Sequence, residues 1–172
     1  MSLLTREQIL EAFSRLDERL GQKSVHAEIY VVGGAAMCVA LEARPSTKDV
    51  DAFFTEPQEV RKAAKAVAEE LGFADDWLND AAKAFVPEDA RFERYRSWQF
   101  VDVSFADERT LLAMKCAAAR TEEDRKDIVF LASRLGLRTA DDVLAVVLQY
   151  YARERLPVRT ELLVQEIFDE GP

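Results

Sequence analysis

Val32-Gly33-Gly34-Ala35-Ala36, followed fifteen residues after Gly34 by Asp49-Val50-Asp51, is the stretch on which the fold turns. Ala27-Glu28-Ile29-Tyr30-Val31-Val32 is rich in β-branched and aromatic residues and runs directly into the glycine pair. Small and apolar residues from Ala35 to Leu41 then resume a helix-compatible pattern. The unit this predicts is strand, glycine turn, helix. Val50 to Phe54 reads as a second strand, closed by Thr55, and Pro57 opens a helix that runs to about Leu71 before Gly72.

Upstream, Ile9, Leu10, Phe13, Leu16 and Leu20 recur at the helical period behind a Thr5-x-x-Gln8 capping box, and Gly21 marks the stop. Downstream, Asp75 to Pro87 has weak periodicity and reads as a short helix and loop. Trp98 to Phe105 alternates, with Phe100, Asp102 and Ser104 on one face and Val101, Val103 and Phe105 on the other, which predicts a strand. Arg91 to Arg96 is a candidate hairpin partner for it. Beyond Asp107 the pattern is helical throughout, with caps expected at Asp107, Thr139 and Thr160 and a further helix over roughly Glu122 to Leu135. A strand-rich half followed by a run of helices predicts an α+β layout: a small mixed β-sheet flanked by helices. Residues 1–106 would carry the sheet, the glycine turn and the carboxylates, and residues 107–172 a helical part packed on it within one structural domain.

The 172 residues, 49% hydrophobic and 32% charged, suit a compact core built without disulfides or structural metals. Cys38 and Cys116 are far apart in apolar or small-residue surroundings, and His26 is the single histidine, which excludes a zinc knuckle. No apolar run reaches the roughly 20 residues a bilayer span needs, so a cytoplasmic protein with no membrane partner is expected. The formal charge of −9 repels polyanions, so a nucleic-acid partner would need a local basic patch. Arg91, Arg94 and Arg96, or Arg120, Arg125 and Lys126, are the candidates, with an ordinary solvated face as the alternative.

Two carboxylates one residue apart on a strand, Asp49 and Asp51, point to one face, and a hard divalent cation such as magnesium takes oxygen ligands of this kind. A glycine pair at a helix start lets the backbone approach a ligand and aims free N–H groups at an anion. Together they offer both halves of a metal–triphosphate site. Asp102 is a third carboxylate in an otherwise apolar strand, where an unpaired acid would be costly to bury. Either a salt bridge to Arg44 or Lys48 explains it, or it is a third metal ligand that also activates an incoming hydroxyl.

Gly33-Gly34, then Arg44-Pro45-Ser46-Thr47-Lys48-Asp49-Val50-Asp51, then Val101-Asp102-Val103 resembles the signature of the polymerase-beta-like nucleotidyltransferases. More narrowly it is similar to the branch containing the abortive-infection (AbiEii-like) toxins of bacterial toxin–antitoxin pairs. In that branch a helix carries a lysine, followed one helix later by an arginine and an acidic position. Leu112 to Arg120, with Lys115, and Asp124-Arg125-Lys126-Asp127-Ile128 match it in order. The resemblance covers about residues 28 to 135. It implies transfer of a nucleoside monophosphate from an NTP to an acceptor hydroxyl with magnesium or manganese. Asp49, Asp51 and Asp102 would be metal ligands and catalytic with Lys115, while Gly33, Gly34, Ser46, Thr47, Lys48 and Asp127 would contact the nucleotide.

Three functions stay open at this level. One is a toxin-type enzyme that modifies tRNA or another RNA and is restrained by an antitoxin protein. Another is a catalytically silent nucleotide- or partner-binding protein of the same fold. The third is a transferase acting on an antibiotic or metabolite, whose cationic forms an acidic surface would attract. Trp77, Phe85, Phe92, Tyr95 and Trp98 lie near the site in sequence and are candidates either for stacking on a base or for core packing.

Overall fold

The computed structural model describes residues 3–169, and the chain folds as two compact units. The first comprises the residues up to Ala84 together with Phe92–Ala106; the second comprises Phe85–Arg91 and the residues from Asp107 on.

In the first unit, β1 (Leu4–Thr5) leads into α1 (Arg6–Gly21), β2 (Ala27–Val31), α2 (Gly33–Val39), β3 (Ser46–Thr47), β4 (Val50–Phe54), α3 (Pro57–Leu71), β5 (Leu78–Asn79), β6 (Phe92–Ser97) and β7 (Val101–Ala106). Five strands form one mixed sheet in the order β5-β4-β2-β7-β6. β4 runs antiparallel to β2 and β7 runs parallel to it. β1 and β3 form a separate antiparallel pair. Alternation along the central strands sorts the sheet into two faces. Ala27, Ile29, Val31, Val50, Ala52, Val101 and Val103 are all at most 1% exposed, on the face that α1 and α3 cover with Ile9, Phe13, Leu16, Val60 and Val67. Each large side chain buried this way contributes roughly 2 kcal/mol. Trp77 closes the layer: its rings meet Phe13 and Phe73, and its indole N–H donates to the Ala64 carbonyl at 2.9 Å. The opposite face carries Glu28, Tyr30, Asp51, Phe53 and Asp102, none of them fully buried.

Local chemistry sets the element ends. The Thr5–Gln8 capping box is formed, so the residue that starts α1 also closes β1. β7 begins at Val101 rather than Trp98, because Trp98–Val101 is a turn and Asp17 accepts hydrogen bonds from the Phe100 and Val101 amides at 2.6 and 3.0 Å. β6 is the hairpin partner of β7, with a register irregularity between Arg94 and Arg96. Within 75–87 the chain forms β5 and a 3-10 turn (Ala81–Phe85). β5 is only two residues long, too short for any periodicity, and is held in parallel register against β4 by long-range pairing.

The second unit contains α4 (Glu108–Ala118), α5 (Glu122–Arg134), α6 (Ala140–Tyr150) and α7 (Val158–Asp169). Asp107, Thr121 and Thr139 cap the first three through their side chains, the latter two as capping boxes. α7 starts at Val158, immediately after Pro157, and not at Thr160, which is 1% exposed inside the helix. Cys38 and Cys116 are free and buried, and burial pushes the Cys116 thiol up to about 12. Among the described residues no helix is long and apolar enough to cross a membrane.

Candidate active site

The glycine turn is built at the C-terminal end of β2, and its two glycines are needed for different reasons. Gly33 has φ +65°, a left-handed conformation that other residues adopt only at a cost, and a Cβ placed on it would lie 3.3 Å from Asp51 Oδ2. A Cβ on Gly34 would lie 2.5 Å from Thr47 Oγ1 and 3.3 Å from Arg44 Nη1. Side-chain volume is therefore excluded where a carboxylate, a hydroxyl and a guanidinium converge on bare backbone. Pairing of β3 with β1, Leu4 opposite Thr47 and Thr5 opposite Ser46, holds the hydroxyl there. Thr47 is 6% exposed, Ser46 is half-buried and Lys48 is exposed.

Asp51 is level with the end of β2, since the Val32 amide donates to its carbonyl at 2.9 Å. Asp49 lies just before β4 and is half-buried. Burial pushes its carboxyl up; Lys48 pulls it down, Asp76 adds a further upward push, and a hydrogen bond from Asn79 lowers it. Asn79 is the register partner of Asp51 on β5. Two carboxylates flanking one residue suit magnesium, which uses one or two carboxylates and completes its shell with water and substrate phosphates. Among the described residues no three His, Cys, Asp or Glu side chains gather to hold a metal ion by themselves.

Asp102 is not brought to this pair. In β7 it stands opposite Glu28, whereas Asp51 is level with Val32, four residues further along β2. At about 3.3 Å per residue the separation along the strand direction alone is roughly 13 Å. Its carboxylate lies 3.1 Å from Arg94 Nη1 and 3.8 Å from His26 Nε2, so its partners are neither Arg44 nor Lys48. The β7 positions nearer Asp51 on the same face are Ser104 and Ala106. Alternation alone places an acid on a face, not at a level along it.

Lys115 and Asp127 belong to the second unit, where they meet each other. Lys115 Nζ lies 2.9 Å from Asp124 Oδ1 and 2.8 Å from Asp127 Oδ2, and Asp127 is 5% exposed. Burial pushes the Asp124 carboxyl up, but Lys115, the Arg120 amide and the Thr121 hydroxyl, each donating to it, outweigh that and bring the group down to about 2. Asp124 is thus both the capping-box acid of α5 and a counter-ion of Lys115. Its signal in the sequence is Thr121-x-x-Asp124, which marks the cap but not the lysine it binds.

The aromatic candidates divide by face. Trp77 and Trp98 pack on Phe13, Tyr95 packs on Phe105 and Phe85 is exposed, whereas Phe92 meets Tyr30 and Phe53 on the Asp51 face. Tyr30 and Phe53 had been legible only as strand formers.

Comparison with known families agrees with the fold. The family described as "Nucleotidyltransferase of unknown function (DUF6036)" matches residues 7–148. No curated protein and no solved structure matches the chain. With most of its length covered, the chain belongs to that nucleotidyltransferase family.

Proposed function

We propose that the protein is a metal-dependent nucleotidyltransferase that moves a nucleoside monophosphate from an NTP to an acceptor hydroxyl. The observation that carries this reading is the glycine turn, where Asp51, Thr47 and Arg44 close around backbone that has no room for a side chain. Family membership supports it.

The glycines let the Thr47 hydroxyl and the Arg44 guanidinium close in on the main chain, where they would supply donors to phosphate oxygens. Lys48, exposed next to Asp49, adds positive charge. Magnesium or manganese held by Asp49 and Asp51 would neutralise phosphate charge and polarise the phosphorus under attack. The acceptor oxygen bonds to the α-phosphorus as the bond to the bridging oxygen breaks, pyrophosphate leaves, and the hydroxyl proton is released. Asp102 is too far along the sheet to join these steps. Lys115 and Asp127, matched to the abortive-infection branch by order of motif, enter as a buried ion cluster that stiffens α4 against α5.

The acceptor class follows from charge. Arg94 is tied to Glu28 and Asp102, Arg96 lies over the Trp98 ring, and Arg125 is paired with Glu166. With a net charge of −9, that arrangement favours a small cationic acceptor over RNA, and with it weakens the reading as an antitoxin-restrained toxin. A second reading, nucleotide binding without transfer, draws on Ser104 and Ala106, which leave the sheet beside Asp51 without a third carboxylate.

The test is incubation of the protein with each α-phosphate-labelled NTP, magnesium or manganese, and either total RNA or a panel of amine-bearing small molecules. Label appearing on an acceptor with release of pyrophosphate supports transfer. Metal-dependent binding with no transfer to any acceptor supports the second reading, and no NTP binding at all rejects both.

A further inference from the structure

Tyr30, Phe53 and Phe92 form a half-buried aromatic cluster on the sheet face that carries Asp51. Tyr30 and Phe53 are register partners on adjacent strands, and their rings stack with centroids 4.9 Å apart at an interplanar angle of 14°. Phe92 comes from β6 and reaches across β7, meeting both rings edge-on at 5.3 and 5.4 Å. It can do so because β7 presents only Ser104 and Ala106 at this level. Glu28 and Arg94, with side chains 41% and 55% exposed, lie beside the cluster and are joined by an ion pair at 3.6 Å.

Resting on the reading of the glycine turn as the phosphate site, we infer that this cluster is the platform for the nucleobase of the bound NTP. Phe53 is two residues from Asp51 on the same strand face, about 7 Å along β4. That is the order of distance from an α-phosphate to the base across a ribose, so one nucleotide spans both features. Partly exposed aromatic faces stack on any base, while Glu28 and Arg94 at the margin offer an acceptor and donors to a base edge. The purely apolar alternative, a cluster that only fills the core, does not account for its position on the face opposite α1 and α3 or for the charged pair beside it.

The experiment is calorimetric titration of the full chain with each of the four NTPs and with inorganic triphosphate, all with magnesium. Tyr30→Leu and Phe53→Leu are titrated in parallel, with Tyr30→Phe as the variant that keeps the stack. The wild type is expected to bind its preferred NTP roughly tenfold or more tightly than triphosphate, the size of one base–aromatic stack. The leucine variants lose that advantage with triphosphate affinity unchanged, and Tyr30→Phe retains it. Equal affinity of the wild type for triphosphate and every NTP overturns the platform and leaves the phosphate site standing, as does an NTP advantage that survives both leucine substitutions. Should the leucine variants fail to bind triphosphate through misfolding, Phe92→Leu, which removes the ring edge-on to both, takes their place: an NTP advantage that survives it with triphosphate binding intact overturns the platform, and loss of the advantage supports it. Binding of neither NTP nor triphosphate overturns the platform and the phosphate site together.

Discussion

Thr47 Oγ1 stands 2.5 Å from the point where Gly34 would carry a Cβ. Any other residue at position 34 must displace a threonine that is 6% exposed and clamped by the β1–β3 pair. Gly34→Ala is therefore expected to weaken binding of magnesium–pyrophosphate by roughly tenfold while the sheet stays folded, at a stability cost of about 1–3 kcal/mol from overpacking. Calorimetry beside a thermal melt separates the two effects. Unchanged pyrophosphate affinity would show that phosphate does not sit at this turn.

Asp51 and Asp102 are two acids on one sheet face at different levels, and the register predicts different consequences of losing each. Asp51→Asn is expected to reduce magnesium-dependent pyrophosphate binding by at least tenfold, the lower bound for groups that merely orient a metal ligand. Asp102→Asn, four register positions away, leaves it within about twofold. Equal losses in the two variants would mean that the two carboxylates share one ion.

Lys115 is held between Asp124 and Asp127 with its side chain 13% exposed. Lys115→Met leaves two largely buried carboxylates without this cation, which is expected to cost about 3 kcal/mol. A urea titration reads this as a lowered midpoint at constant slope. A change below about 0.5 kcal/mol, the range of an ordinary surface substitution, would show that the ammonium is not integral to the helical unit.

Acid should act on the same cluster. The Asp124 carboxyl titrates at about 2 in the folded chain, against about 3.9 for an unfolded aspartate. As pH falls the unfolded chain takes up this proton first, so the stabilisation is complete above the unfolded value and is lost progressively towards pH 2. Urea midpoints measured from pH 5 to pH 2 should fall more steeply in the wild type than in Asp124→Asn. Parallel profiles would remove the Lys115 pairing as the cause.

The strand–glycine turn–helix unit, the Asp49-Val50-Asp51 pair, the capping box at Thr5 and the caps at Asp107 and Thr139 were legible because each is a local pattern. Caps act over three residues, alternation over two, and a glycine pair between strand and helix needs no distant partner to be seen. Asp102 was legible as an acid on a particular face and illegible as to its neighbour, since a strand's own residues carry no record of its register against β2. The β3 and β5 strands are two residues long and exist only through pairing with β1 and β4.

By itself, then, the sequence determined the α+β class, the glycine turn and the chemistry available at its mouth, through spacing and side-chain size over short stretches. Tertiary structure alone decided that Thr47 closes over Gly34, that Asp102 pairs with Arg94 rather than joining Asp51, and that Tyr30, Phe53 and Phe92 meet. Those outcomes depend on which strands pair and in what register. That choice is made by burial of the whole Ile29, Val31, Ala52 and Val103 face against α1 and α3, a cooperative quantity that no single stretch of the chain contains.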